Sequence, residues 1–274
     1  MSPVDSSKSS QAPRLAPRLA PRLRTLRSIG ALVLREMGSS YGRSPGGYLW
    51  TILAPVGAIV VMALAFSLLV HAPALGTSFV LFYATGYLPF SFYMGIAQKI
   101  GLAIRYSRPL LAYPGVTWID AVLARFVLNV LTETVVFIIV IIGIFSVVDI
   151  TSTVEVWPIV EGLVLAAMLG LGVGLINCLL IGHVPVWEQV WSIVTRPLFI
   201  ASGVFFLYES LPPVVQNILW WNPLMHATAQ VRTGFYASYQ GSFVSLPYGY
   251  GVALALIALG LALLRKGYRA GLQR

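Results

Sequence analysis

Arg125, Asn129 and Glu133 recur every four residues inside the long apolar stretch 118–148. On a helix they share one ridge. A base and an acid on one ridge can satisfy each other or relay a proton. Asp120 lies five residues before Arg125, near the polar end of the same stretch. Arg196 stands just before Pro197 inside a second apolar run, where the missing amide favours a bend. Ionisable groups within membrane-length apolar runs are read first as functional. The structural reading is mutual pairing for Arg125 and Glu133, and reach to water for Glu161. A second chemistry belongs to aromatic rings. Phe79, Phe82, Tyr83, Tyr87, Phe90, Phe92 and Tyr93 crowd one run, and Trp220 and Trp221 follow near a later Asn222-Pro223 break. Tyr83, Tyr87 and Phe90, at spacings of four and three, form one helical stripe. Ring faces stack on the C–H faces of sugars, and tyrosine adds a hydroxyl. The same rings also serve helix packing and lipid contact.

Other chemistries are excluded or disfavoured. Cys178 is the single cysteine, so there is no internal disulfide and no cysteine zinc cluster. His71, His183 and His226 are far apart and read as interface or packing residues, so no metal site is expected. The only lysines are Lys8, Lys99 and Lys266, and none follows a Gly-x-x-x-x-Gly phosphate loop. The chain does not bind ATP by that motif; if it belongs to a pump, the motor is another chain. No clustered acid/base site supports an intramembrane transferase.

The elements that position these residues follow from composition. The 274 residues are 58% hydrophobic and 10% charged, with mean hydropathy +0.83. A water-soluble surface needs far more charge, so the chain reads as an all-α, multi-pass membrane protein. Its formal net charge of +9 comes from basic residues at span ends, which argues against nucleic acid as a partner. Six apolar runs, 49–70, 79–98, 118–148, 157–182, 187–207 and 246–264, each approach the roughly 20 residues a bilayer requires. With the N-terminus inside, eight Lys and Arg precede the first run, three occupy the loop 99–108 and four follow the last run, against Arg232 alone outside. This asymmetry makes both termini cytoplasmic.

The chain divides accordingly. Residues 1–25 are a basic tail with a triple Ala-Pro-Arg-Leu repeat over 12–23, whose regular prolines forbid a helix. No apolar core follows its arginines, so it does not read as a secretory signal. Residues 26–44 form an amphipathic interfacial helix with Leu26, Ile29, Val33, Met37 and Tyr41 on one face. Residues 48–265 are the membrane domain and 266–274 a basic tail. The cytoplasmic segment 104–118, with two prolines, suits a short docking helix. The outer segment 208–247 reads as two short helices, 213–221 and 224–236, that form a re-entrant hairpin before the last span. Backbone of that kind is tolerated at membrane depth only when covered by protein or lining a wet cavity, so the hairpin is a candidate gate.

Three stretches carry a family resemblance. They are Leu34-Arg35-Glu36 with Tyr41-Gly42 and Gly47-Tyr48-Leu49-Trp50 through Pro55; Arg196-Pro197-Leu198; and Leu219-Trp220-Trp221-Asn222-Pro223-Leu224 with His226 and Arg232. Together they resemble the membrane subunit of ABC-2 type exporters, specifically capsular-polysaccharide export permeases of the KpsM type. The likeness runs over residues 26–266. It departs at Ser40, at Ser44-Pro45, and at Asn129, where an acidic residue is expected.

The resemblance implies a homodimeric permease in a bacterial inner membrane, served by two copies of a separate ATPase that binds the ATP, with no cofactor of its own. Lipid-linked polysaccharide would thread the dimer interface. A periplasmic co-polymerase and an outer-membrane channel would continue the path. Arg35, Glu36, Arg105 and Arg108 lie on the cytoplasmic segments that would couple to the ATPase. Tyr83, Tyr87, Phe90, Arg196, Trp220, Trp221 and Asn222 are expected along the substrate path, with the second-run stripe facing the dimer interface and the tryptophans closing the outer mouth. The alternatives are O-antigen or teichoic-acid export, and an ion-coupled secondary transporter using Arg125 and Glu133. The last usually shows two related halves, and no such repeat is visible.

Overall fold

A computed structural model describes Gly30, Val33 and residues 47–111, 117–148, 154–184 and 186–272. The tail 1–25 and nearly all of the expected amphipathic helix, Arg35 and Glu36 included, lie outside the described residues. Those residues hold nine α-helices and no strand. In order they are α1 (Gly47–Ser67), α2 (Phe79–Gly101), α3 (Ala103–Leu111), α4 (Trp118–Val147), α5 (Val156–His183), α6 (Trp187–Ala201), α7 (Pro213–Leu219), α8 (Pro223–Phe235) and α9 (Leu246–Leu272). A 3-10 turn, Tyr208–Ser210, precedes α7.

Local chemistry sets the helix starts. Thr117 and Asp120 form a reciprocal capping box on α4: the Thr117 hydroxyl accepts the Asp120 amide at 3.2 Å, and the Asp120 carboxylate accepts the Thr117 amide at 2.9 Å. Two orphan amides are thereby satisfied, and Asp120 is a cap. Asn222 caps α8 by accepting from Leu224 N at 3.1 Å, with Pro223 at the first helical position, where its missing N–H costs nothing.

α5 is the central helix, packed on α2, α8 and α9. Small residues permit that approach. A methyl on Gly174 would lie 2.7 Å from Ile100 Cβ on α2, and one on Gly172 would lie 2.7 Å from Leu256 Cβ on α9. Both fall far inside contact distance, so the glycines set the spacing of three helices. Near the C-terminal ends of α2 and α5, Ile100, Ala103, Val122, Cys178 and Leu264 form one buried cluster, which seats α3 against the bundle.

Among the described residues five helices are long and apolar enough to cross a membrane: Leu49–Ser67, Phe79–Gly101, Trp118–Val147, Val156–His183 and Leu246–Gly267. The run 187–207, expected as a further span, yields a 15-residue helix. At 1.5 Å per residue it is about 22 Å long, short of a hydrocarbon core of about 30 Å. Composition does not end it, because Val204 to Leu207 remain apolar. The backbone ends it: Gly203 takes φ +74°, a left-handed turn that glycine enters without strain. The 104–118 segment supplies α3, and 208–247 supplies α7 and α8, within two residues of the expected bounds.

Candidate functional site

An open groove of about 560 Å³ runs between α2 and α6. Tyr87, Phe90 and Met94 line it from α2; Thr195, Arg196, Phe199 and Ile200 from α6; and Phe205 from the turn beyond. The rings interlock. Phe199 meets Phe90 at 5.0 Å, Phe205 edge-on at 5.1 Å and Tyr87 edge-on at 6.1 Å. Such pairs hold one another in place and leave ring edges and faces toward the groove. Arg196 is exposed on the chain's surface here, beside exposed Ile193, Val194 and Ile200. The structure thus brings together Tyr87, Phe90 and Arg196. Tyr83, on the same stripe, is 3% exposed. Its ring lies 5.2 Å from Phe66 of α1 and 6.4 Å from Phe205, so it backs the groove from the interior.

A smaller pocket of about 210 Å³ continues from the groove toward the α2 C-terminus, with Met94 and Thr195 lining both. Gln98 of α2, Asn177 and Ile181 of α5, and Glu188, Trp191 and Ser192 of α6 surround it. Asn177 Oδ1 accepts from Trp187 Nε1 at 2.9 Å, which seats the start of α6 on α5. Glu188 also receives Arg105 Nη1 of α3 at 2.5 Å, in a pair exposed on both sides. Arg105 therefore reaches α6, while Arg108 sits half-buried on the same short helix.

At the other end, α7 and α8 build a cap. Trp220 stacks on Tyr248 of α9 at 4.8 Å and meets His226 edge-on at 5.4 Å. Tyr248 donates its hydroxyl to Trp221 O at 2.9 Å. The Trp221 side chain is 68% exposed. Asn222 donates from Nδ2 to Ala201 O at 2.9 Å, joining the cap to the end of α6. His226 is fully buried. Its Nδ1 accepts the Ser245 amide at 3.1 Å, so Nε2 carries the proton and donates to Trp220 O at 2.8 Å. Both ring nitrogens are used by backbone, which makes His226 a pin rather than a metal ligand. Burial pushes its pKa below the ordinary value, and the bond to Trp220 opposes this.

Arg232 is 2% exposed and donates to Val204 O and Phe206 O, each at 3.1 Å. Burial lowers its pKa to about 10, against the pull of nearby Tyr239, Tyr236, Glu209 and Tyr83, so it stays charged at neutral pH.

The α4 ridge lies against α2 and α3. Arg125 is buried, donates to Lys99 O at 3.3 Å and lies 5.0 Å from the Tyr106 ring centroid. Asn129 donates back to Arg125 O at 2.7 Å. Glu133 lies half-buried against Gly95 of α2, in space that any side chain there would fill. Sequence reasoning missed Phe199, Phe205, Asn177 and Trp191. Only Phe199 had a signal, since it stands three residues after Arg196 and shares its face.

Known proteins resemble this chain over most of its length. A family described as ABC-2 type transporter matches residues 27–236. The polysialic acid transport protein KpsM of Escherichia coli is 29% identical over 244 residues, 87% of this chain and 92% of that one. The capsule polysaccharide export inner-membrane protein CtrC of Neisseria meningitidis serogroup A is 26% identical over 240 residues, 88% and 91% of the two chains. The capsule polysaccharide export inner-membrane protein BexB of Haemophilus influenzae is 27% identical over 243 residues, 87% and 90% of the two.

Proposed function

The chain belongs to the ABC-2 type transporter family, and from that premise we propose that it is the permease subunit of a capsular-polysaccharide exporter. It moves lipid-linked polysaccharide from the cytoplasm across the bacterial inner membrane, and a separate ATPase subunit drives it. The observation that carries this reading is the likeness to capsule export proteins over nearly nine-tenths of the chain, in which the aromatic groove of Tyr87, Phe90 and Phe199 is embedded.

On this reading the chain works as a homodimer with both termini in the cytoplasm. α6 and the turn at Gly203 make the fifth crossing and α9 the sixth, and between them the α7–α8 hairpin re-enters from the outer face without spanning. Residues 1–25 are a cytoplasmic tail, 26–44 an interfacial helix, 48–265 the membrane domain and 266–274 a second tail. Arg196 supports the placement of the groove: a guanidinium exposed among apolar neighbours is costly against lipid, whereas a wet path between two copies accommodates it. Tyr83 stiffens that wall from behind, while Trp220, Trp221 and Asn222 form the outer mouth. Stacking on rings suits a sliding chain, because each contact is worth about 1 kcal/mol and none stalls the movement. Arg35, Glu36, Arg105 and Arg108 face the motor. A periplasmic co-polymerase and an outer-membrane channel extend the path.

The test is deletion of the gene in its encapsulated host. Polysaccharide should vanish from the surface and accumulate inside the cell, and the intact gene should reverse both. Normal surface capsule in the deletion strain refutes the reading.

A further inference from the structure

Two buried N–H donors, Asn177 Nδ2 and Trp191 Nε1, have no acceptor among the described residues. Both belong to residues lining the small pocket between α2, α5 and α6. Asn177 is 2% exposed, and its oxygen is already committed to Trp187 Nε1, so its amide cannot be flipped to hide the donor. Buried donors left unpaired are costly and rare. Two in one pocket call for an acceptor that the described residues do not supply.

The lining indicates which acceptor fits. The pocket offers an indole at Trp191, an amide at Gln98, a hydroxyl at Ser192 and a carboxylate at Glu188. A neutral sugar matches this set. Its C–H face lies on a ring, its oxygens accept from the two orphan N–H groups, and its hydroxyls donate to Glu188 and Gln98. A phosphate or a carboxylate matches poorly, since no cation is among the described lining residues and nearby Arg105 is already paired with Glu188. At about 210 Å³ the pocket is smaller than the roughly 300–1,000 Å³ of drug-sized sites, so it holds one small unit and not a chain. Met94 and Thr195 connect it to the aromatic groove.

We propose that this pocket is an entry subsite, which takes one neutral sugar unit of the polysaccharide by its hydroxyl or acetamido oxygens before the chain passes into the groove. The proposal rests on the polysaccharide-permease reading. Both donor atoms are closed off in this conformation, so the site opens when the first turn of α6 shifts. Glu188 on that turn is held by Arg105 of α3, and movement of α3 releases it.

Trp191→Phe is the test, because it deletes one orphan donor and keeps a ring. In the encapsulated host, surface polysaccharide should fall at least fivefold at matched protein level, while the purified variant unfolds at the same or a higher temperature. A donor with no ligand would behave differently: its removal would leave export at the wild-type level, which overturns the proposal. A second measurement does not depend on that variant. Ser192→Cys in a Cys178→Ser background should react with a thiol reagent severalfold more slowly in inverted vesicles that carry the strain's own lipid-linked polysaccharide than in vesicles from a strain blocked in its synthesis. Equal rates overturn the subsite. Export that survives deletion of the whole chain overturns the permease reading with it, whereas export lost on deletion but unchanged in Trp191→Phe overturns the subsite alone.

Discussion

The Arg232 guanidinium on α8 lies over the Phe82 ring of α2, 4.4 Å from its centroid. Its two terminal nitrogens hold the carbonyls of Val204 and Phe206. Three pieces far apart in sequence therefore meet on one cation: α2, the turn that ends α6, and the cap. Gly86 makes the room, since a methyl there would lie 2.7 Å from Nη2. Arg232→Met should strand both carbonyls and cost about 2–4 kcal/mol. Gly86→Ala should displace the guanidinium and cost about 1–3 kcal/mol. Thermal unfolding in detergent reads both; a wild-type unfolding temperature in Arg232→Met would remove Arg232 from this role.

His226 gives the cap a pH dependence of defined sign. Burial holds its pKa below 6.5, so the unfolded chain takes up the proton first. The stability it contributes is fully present above about pH 6.5 and is lost as pH falls through the lowered folded value. Protonation also turns Nδ1 into a donor facing the Ser245 amide. Melting profiles between pH 7.5 and 5 should therefore slope more steeply in the wild type than in His226→Gln, although the variant melts lower at pH 7.5. Parallel slopes would contradict the assignment.

Tyr87 and Tyr83 should part company. Tyr87→Leu combined with Phe199→Leu strips ring faces from the groove and should cut surface polysaccharide severalfold at matched protein level. Tyr83→Leu empties an interior site and should lower stability by about 1–3 kcal/mol. If the groove merely faces lipid, the double variant exports normally, because leucine meets lipid as well as a ring does.

Arg105 and Glu188 form an exposed pair, worth only about 0–1 kcal/mol to folding, so their exchange tests coupling with little effect on folding. Arg105→Glu should reduce export, and adding Glu188→Arg should restore much of it. Reduction without rescue would place Arg105 against the motor alone.

The sequence was legible where composition and backbone chemistry coincide. Asn222-Pro223 marks a cap and a first helical position, and α8 starts there. The apolar run expected from residue 118 becomes α4, which starts at Trp118. The end of α6 was not legible, because apolar residues continue past Gly203 and only its positive φ reveals the turn. Tyr83 and Tyr87 share a stripe, yet Phe66 on α1 covers the first and leaves the second at the groove. Asn177 and Trp191 stand on different helices, and no spacing rule joins them. Arg125 and Glu133 read from the sequence as a pair or as a relay; that Arg125 also meets the Lys99 carbonyl and the Tyr106 ring, and Asn129 the Arg125 carbonyl, is something periodicity cannot see.

The most direct measurement is ATP-dependent movement of lipid-linked polysaccharide into inverted membrane vesicles that contain this chain and its ATPase. The account predicts that polysaccharide becomes protected from an added glycosidase only when ATP is supplied and the ATPase is active. Protection driven by an ion gradient without ATP, or none with both subunits present and ATP hydrolysed, would contradict it.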